Sequence, residues 1–344
     1  MPLTPFIIPF FISHQGCPHQ CVFCNQHVIT GSSEWLTPDT IREEIVRCLD
    51  WPRDKKRPVQ VAFYGGSFTG LERARQQELL GAVAPFISSG EVDFIRLSTR
   101  PDYIDRGAVL FLKERGVGLV ELGIQSFDDA VLARCRRGHT AARVEEAFVH
   151  LRWAGLKVGG QLMVGLPGET TRGVLAGAHR LVALAPDLVR IYPVLVLKGS
   201  PLAALFAGGG YKPLTMNRAV ALCARLLELF DRAGIPVVRL GLQPSASLER
   251  DLVGGPYHPA FGELVKSRLY FRRLRKYLAC LQKERGEGTI RLMLAAADTS
   301  LFFGQKRCSA RRLTALKLLA GVEPVFTPGQ PRFTMQHEIL RQAP

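Results

Sequence analysis

The sequence predicts an α/β protein: an open, partial TIM-like barrel of six strand–helix units, (β/α)6, followed by a small α+β extension. Two observations predict this class. Short apolar runs alternate with amphipathic stretches from residue 6 to residue 194, and the apolar runs are nearly continuous, as in parallel strands covered by helices. Because six strands are too few to close an eight-stranded barrel, the barrel is expected to stay open.

The expected strands are the six apolar runs. They are Phe6–Ile12, Val59–Tyr64, Asp93–Ser98, Gly118–Gln125, Lys157–Val164 and Asp187–Val194. Pro9 indicates that the first strand lies at a sheet edge, because proline has no N–H to donate to a neighbour on that side.

The stretches between the strands carry helix signals. Thr37 followed by Pro38 is typical of a helix start, and Ile41 and Ile45 then recur at helical spacing. Later helices are expected at about 69–86, 103–115 and 170–183, with another that ends near Gly155.

Length and composition are those of a soluble globular enzyme. The chain has 344 residues, 47% of them hydrophobic and 22% charged, which allows a sizeable core and excludes general disorder. Phe6–Ile12 lacks a basic segment before it, so it is interpreted as a strand and not as an export signal. No other apolar run approaches the ~18 to 20 residues of a membrane span. Eight cysteines without a disulfide framework predict a cytoplasmic protein with reduced thiols.

Three cysteines, Cys17, Cys21 and Cys24, fall within eight residues just after the first strand. Three soft ligands on one loop favour an iron–sulfur cluster or a zinc ion. A cluster held by three thiolates leaves one iron open to bind a small molecule, whereas structural zinc needs four protein ligands. His14, His19 and His27 are candidates for the fourth zinc ligand, and plain packing of the thiols is a further alternative.

Polar and glycine residues gather at the ends of the predicted strands. The motifs are Gly65-Gly66-Ser67, Ser98-Thr99-Arg100-Pro101-Asp102, Gly123-Ile124-Gln125-Ser126 and Gln161 to Gly168. Because carboxyl ends of parallel strands share one edge, these residues and the cysteines are expected to form one site. Glycines let a ligand approach the backbone, and Ser98, Gln125, Gln161 and Arg137 suit ribose hydroxyls and a carboxylate. Capping of neighbouring helices is the alternative role for such groups.

With Phe23 just before its last cysteine, the loop resembles the signature of the radical S-adenosylmethionine (SAM) superfamily, and the strand-end motifs are similar to that family's successive motifs. The resemblance implies a barrel of the radical SAM type and a 4Fe–4S cluster on Cys17, Cys21 and Cys24. In that family the cluster chelates SAM and cleaves it reductively to a 5′-deoxyadenosyl radical, with an external flavodoxin- or ferredoxin-like electron donor. The implied cofactor-binding residues are Phe23, Gly65, Gly66, Ser67, Ser98, Gln125, Arg137 and Gln161.

Two later segments, Ile191–Leu202 and Tyr211–Thr215, are similar to the catalytic subunit of the Elongator complex and to its short bacterial relatives. That subunit modifies the wobble uridine of transfer RNA, so the resemblance implies an RNA substrate. The chain runs only about 100 residues beyond the core, without an acetyltransferase domain, and its first two cysteines are spaced more closely. Chemistry that consumes acetyl-coenzyme A is therefore not implied.

The domain organisation expected is a core over residues 1–245 and a basic extension over residues 246–344, a candidate for substrate or RNA binding. The net charge of +15 favours polyanionic partners. A helix is expected at Lys266–Arg285, a strand at Thr289–Leu294 and a helix at Arg312–Leu319. In the first of these helices arginines alternate with aromatic residues. The arginines could bind phosphates while the aromatic rings stack on bases. Alternatively, the arginines form a solvated face and the aromatic rings are buried beneath it.

Three functions are consistent with these features. The first is a radical SAM enzyme that modifies transfer RNA or another RNA. The second is a radical SAM enzyme for a small molecule, because the Gly165–Gly168 region also resembles oxygen-independent coproporphyrinogen oxidases. The third is a cluster- or metal-binding protein that interacts with RNA without catalysis.

Overall fold

The protein is described here by a computed structural model that covers residues 4–12, 17, 20–25, 36–284 and 288–340. His14, His19 and His27 lie outside these residues. Two compact units make up the chain: Met1–Ala219 with Leu229–Tyr257, and Val220–Glu228 with His258–Pro344. The predicted domain boundary after residue 245 stays a prediction.

The first unit is built on a sheet of parallel strands that curls into a half-barrel. Its strands are β1 (Phe6–Phe11), β2 (Val59–Tyr64), β3 (Phe94–Thr99), β4 (Val117–Gln125), β5 (Lys157–Val164), β6 (Leu188–Pro193) and β8 (Val237–Leu240), in the order β1-β2-β3-β4-β5-β6-β8. The partial TIM-like barrel is therefore confirmed. The expected count of six strands was wrong by one, because β8 is only four residues long and partly exposed, so it leaves no apolar run.

The described helices of this unit lie between the strands along the chain. They are α1 (Pro38–Leu49), α2 (Arg73–Ser88), α3 (Arg106–Glu114), α4 (Asp129–Arg134), α5 (Ala141–Trp153), α6 (Thr171–Ala183), α7 (Pro201–Ala207) and α9 (Ala246–Asp251), while α8 (Met216–Arg232) contributes to both units. Two short strands, β7 (Val196–Leu197) and β9 (Leu252–Gly254), form a separate antiparallel pair.

Local signals explain these boundaries. Thr37 caps α1: its hydroxyl accepts a bond from the Thr40 N–H, and the Thr40 hydroxyl accepts one from the Thr37 N–H. Ile41 and Ile45 are fully buried, as their spacing predicts. Among the described strands, β1 pairs only with β2, so Pro9 lies in an edge strand as expected.

The second unit contains a long helix, a small sheet and short helices. Its elements are α10 (Phe261–Glu284), β10 (Thr289–Ala295), α11 (Thr299–Phe303), α12 (Cys308–Ala315), β11 (Val322–Thr327) and β12 (Met335–Leu340), with the strand order β11-β10-β12. The helix expected at Arg312–Leu319 is misplaced in that prediction: it begins at Cys308 and ends before Lys317, whose φ of 56° is left-handed. None of the described helices combines the length and apolar composition that a membrane span needs.

Candidate active site

The carboxyl ends of the barrel strands surround a cavity of about 710 Å³. The structure brings all the predicted site residues to its wall: Cys17, Cys21, Phe23, Cys24, Gly65, Gly66, Ser67, Ser98, Gln125, Arg137 and Gln161. This follows from the topology, since parallel strands end at the same edge of the sheet. The position of these residues is thus known, while their roles as ligands stay predictions.

The cysteine segment is fixed to the barrel by its backbone. The Val22 N–H donates to the Cys135 carbonyl at 3.1 Å, and the Val22 carbonyl accepts from Leu202 N–H at 2.8 Å. The Val22 side chain is buried in an apolar cluster that also includes Cys135 and Leu202, with Phe23 packed against it. These contacts hold Cys21 buried and leave Cys17 and Cys24 partly exposed at the cavity.

The three thiols on the cavity wall match the ligand set of an iron–sulfur cluster. None of the eight cysteines, all of which are described, is in a disulfide. Within the described ranges no three His, Cys, Asp or Glu side chains are close enough together to hold one metal ion. In a four-iron cluster each thiolate binds a different iron, so three thiols around a roomy cavity fit that cofactor.

Two buried arginines accompany the cysteines. Arg137 places Nη1 3.6 Å from the Cys21 Sγ and donates from Nη2 to the Gly123 carbonyl at 2.7 Å. Arg100 donates to both carboxylate oxygens of Asp102, at 3.0 and 2.8 Å. Burial alone would lower the pKa of Arg100, but Asp102, Cys17 and Cys21 outweigh it and raise that pKa, so the guanidinium stays charged. Positive charge and N–H donors beside thiols stabilise thiolates and bound clusters.

The backbone at the end of β4 is shaped for this arrangement. Its pairing with β5 shifts between Gly123 and Gln125, and Gln125 has a left-handed φ of 67°. A Cβ on Gly123 would lie 2.7 Å from the Arg137 Nη2 and 3.0 Å from the Gln125 Nε2, so a larger residue would displace the ends of these side chains from where they lie. A strained non-glycine residue next to a close approach is typical of a binding site.

Ser67 has a structural connection as well as a place on the cavity wall. It is 2% exposed, and its hydroxyl lies 3.0 Å from that of Thr99, which in turn lies 2.6 Å from the Thr69 hydroxyl. These bonds tie the loop after β2 to the end of β3. Ser98 and Gln161 are linked similarly, the amide of Gln161 donating to the Ser98 hydroxyl at 3.2 Å.

A buried ion network lies on the same strands, and sequence reasoning missed it. Glu121 is fully buried and accepts from Arg96 Nε at 3.1 Å and from Arg190 Nη2 at 3.1 Å. The Tyr64 hydroxyl lies 2.7 Å from Arg190 Nη2, and burial followed by the Glu121 charge raises the pKa of this phenol. Charged residues inside otherwise apolar strands were the available signal. Two guanidiniums against one carboxylate leave one net positive charge.

Comparison with known proteins agrees with this architecture. Residues 11–176 match the Radical SAM superfamily, and residues 186–271 match the Radical SAM C-terminal domain. An uncharacterized protein of Methanocaldococcus jannaschii is 28% identical over 62% of this chain and 68% of its own length. The tRNA uridine(34) acetyltransferase of the same organism is 35% identical over 36% of this chain, and that of Dehalococcoides mccartyi is 26% identical over 65%.

The chain spans 24% of the first acetyltransferase and 55% of the second. Among solved structures, the Elp3 protein of Methanocaldococcus infernus with its N-terminus deleted matches with a TM-score of 0.60 and 21% identity, over 80% of this chain and 64% of that one. This likeness confirms the half-barrel fold. The two superfamily matches, the half-barrel and the three cysteines at its mouth together show that the chain is an enzyme of the radical SAM superfamily, with a core similar to that of Elp3.

Proposed function

We propose that the protein binds a 4Fe–4S cluster through Cys17, Cys21 and Cys24 and uses it to cleave SAM, in order to modify transfer RNA or another RNA. The observation that supports this most is the single cavity that holds the three cysteines together with every predicted SAM contact. When bound, the cluster supplies the electron that cleaves SAM to a 5′-deoxyadenosyl radical. A flavodoxin- or ferredoxin-like donor and a cytoplasmic location are part of the same prediction.

The chain's own residues bind and orient in this scheme. Gly65 and Gly66 allow a ligand to approach the backbone closely, and Ser98 and Gln161 offer hydrogen bonds for ribose hydroxyls. Gln125, on its strained turn, and Arg137, beside Cys21, would offer donors suited to the carboxylate of SAM. Phe23 packs against the apolar cluster around Val22 and adds an aromatic ring to the cavity wall.

The RNA substrate is supported by the relatives and by the charge of the chain. Two of the similar proteins are named tRNA uridine(34) acetyltransferases, and the net charge of +15 favours a polyanion. The group transferred is not part of the proposal, because this chain matches only part of those relatives.

The RNA assignment is tested by mass spectrometry of transfer RNA nucleosides from cells with and without the gene. A modified nucleoside should be lost on deletion and restored by the wild type or by Cys280→Ala, an exposed cysteine on α10. Cys24→Ala should not restore it. Identical nucleoside profiles in all five strains, with the protein expressed in the four that carry a copy of the gene, would contradict a transfer RNA substrate.

A further inference from the structure

The cavity reaches across the sheet from one edge strand to the other. The cysteines follow β1, and Arg239 lies on β8 at the opposite edge. Apart from Phe23 on the cysteine segment, the predicted SAM contacts come from β2 to β5 or the turns after them and from the turn after α4. The residues that line the cavity beyond β5, such as Arg190, Tyr192 and Arg239, are therefore available for the second reactant.

The charges of this far side are unbalanced. Four arginines, Arg100, Arg137, Arg190 and Arg239, line the cavity, and the described lining residues include no Asp or Glu. Arg100 is paired with Asp102, and Arg137 faces Cys21. Arg190 shares Glu121 with Arg96, which leaves the trio with one net positive charge.

Arg239 adds a second cation directly beside this trio. It is the register partner of Arg190 across the β6–β8 pair, so the two side chains leave neighbouring strands at the same level. Its Nε donates to the Gly241 carbonyl at 3.0 Å and its Nη2 to the Gln243 Oε1 at 2.5 Å. Both acceptors are neutral, and they use two of the five N–H donors of a guanidinium. Adjacent like charges repel, and a bound anion would relieve that repulsion.

The surroundings of Arg239 are apolar and aromatic. Leu195, Leu197, Leu242 and Leu248 line the same region with Tyr192. Cations beside an apolar wall and a phenol ring match a ligand with a phosphate and a flat, uncharged ring. A nucleotide unit has both parts.

We propose that Arg239, positioned by Gly241 and Gln243, binds a phosphate of the nucleotide that the enzyme modifies, with the base against the leucines and Tyr192. This deepens the proposed function and rests on its RNA substrate. Arg239 belongs to a strand that carried no sequence signal, so the assignment comes from the fold.

The test is the equilibrium binding of total transfer RNA to the anaerobically reconstituted full chain across a salt series. The variants are Arg239→Gln, Arg239→Lys and, as control, Arg172→Gln, an exposed arginine on α6, each checked by thermal melting. Arg239→Gln should weaken binding about tenfold and reduce the slope of log K against log salt by about one. Arg239→Lys should keep the slope but recover only part of the affinity, because lysine lacks the planar fork. Arg172→Gln should bind like the wild type.

The outcomes separate this inference from the proposed function. Equal affinity of Arg239→Gln and Arg172→Gln overturns the role of Arg239, whether or not SAM is cleaved. A wild type that binds no transfer RNA at low salt overturns the nucleotide assignment. If Arg239→Gln weakens transfer RNA binding but the wild type releases no 5′-deoxyadenosine, the radical chemistry is overturned and the role of Arg239 stands.

Discussion

Arg137 connects the two proposed cofactor sites at the scale of single residues. Its guanidinium reaches the Cys21 sulfur on one side and the Gly123 carbonyl on the other, and it is 7% exposed. The sequence pointed to it as a SAM contact only through its motif. The structure adds a contact with Cys21, a predicted cluster ligand, which no spacing rule could supply because the two residues lie 116 positions apart.

Arg137→Gln should therefore change the cluster as well as SAM binding. Loss of a positive N–H donor beside a ligand sulfur should lower the midpoint potential of the bound cluster. The measurement is redox potentiometry followed by electron paramagnetic resonance, without SAM, on the variant and on Arg134→Gln, an exposed neighbour on α4. An unchanged potential in Arg137→Gln would contradict the contact with Cys21.

Glu121 is the single residue whose charge is expected to contribute most to the free energy of unfolding through this ion network. Glu121→Gln keeps the shape but leaves Arg96 and Arg190 buried without a compensating charge, so the free energy of unfolding should fall by roughly 3–5 kcal/mol. Glu145→Gln, in an exposed pair with Arg180, should cost less than about 1 kcal/mol. Urea denaturation of both variants measures the difference, and equal losses would show that the network is not a buried charge centre.

Among the secondary-structure elements, the strands that are buried were the ones that the sequence predicted. All six expected strands recur, two of them with the same bounds and the other four within one residue at either end, because buried parallel strands leave continuous apolar runs. β8 has no continuous apolar run, so neither this strand nor Arg239 on it was predicted from the sequence. The helix at Cys308–Ala315 was misplaced because left-handed backbone at Lys306, Arg307 and Lys317 sets its ends, and lysine and arginine give no signal for that conformation.

Helix α10 resolves an ambiguity that its sequence left open. Tyr270 and Phe271 are in the core of the second unit, and the Tyr277 hydroxyl lies 2.8 Å from His337 Nδ1, so these rings are not free for bases. The arginines of α10 form a stripe along the helix. Arg268, Arg272 and Arg275 follow one another at helical spacing, and burial together with the charges of Arg312, Arg272 and Arg275 lowers the pKa of Arg268.

This arginine stripe should contribute phosphate contacts without base stacking. The double variant Arg268→Gln with Arg275→Gln should reduce the salt slope of transfer RNA binding by about two. Lys55→Gln with Lys56→Gln removes the same charge from an exposed turn of the first unit and should change the slope little. If both pairs give the same slope, the stripe is only a solvated face.

At the scale of the whole molecule, the candidate site was more predictable than its reactant. The cysteines and the strand-end motifs could be found because cofactor chemistry dictates short, local patterns, and parallel topology then brings them to one edge. The ion network around Glu121 and the far side of the cavity combine residues from distant strands. These residues come together only in the folded sheet, so no local sequence pattern predicts their proximity.

The central claim is that Cys17, Cys21 and Cys24 hold a cluster that cleaves SAM. The measurement is 5′-deoxyadenosine released after anaerobic reconstitution, dithionite reduction and addition of SAM. We expect release by the wild type and by Cys280→Ala, with neither cluster iron nor release in Cys17→Ala, Cys21→Ala or Cys24→Ala. Wild-type protein with a full complement of iron that releases no 5′-deoxyadenosine would contradict the account.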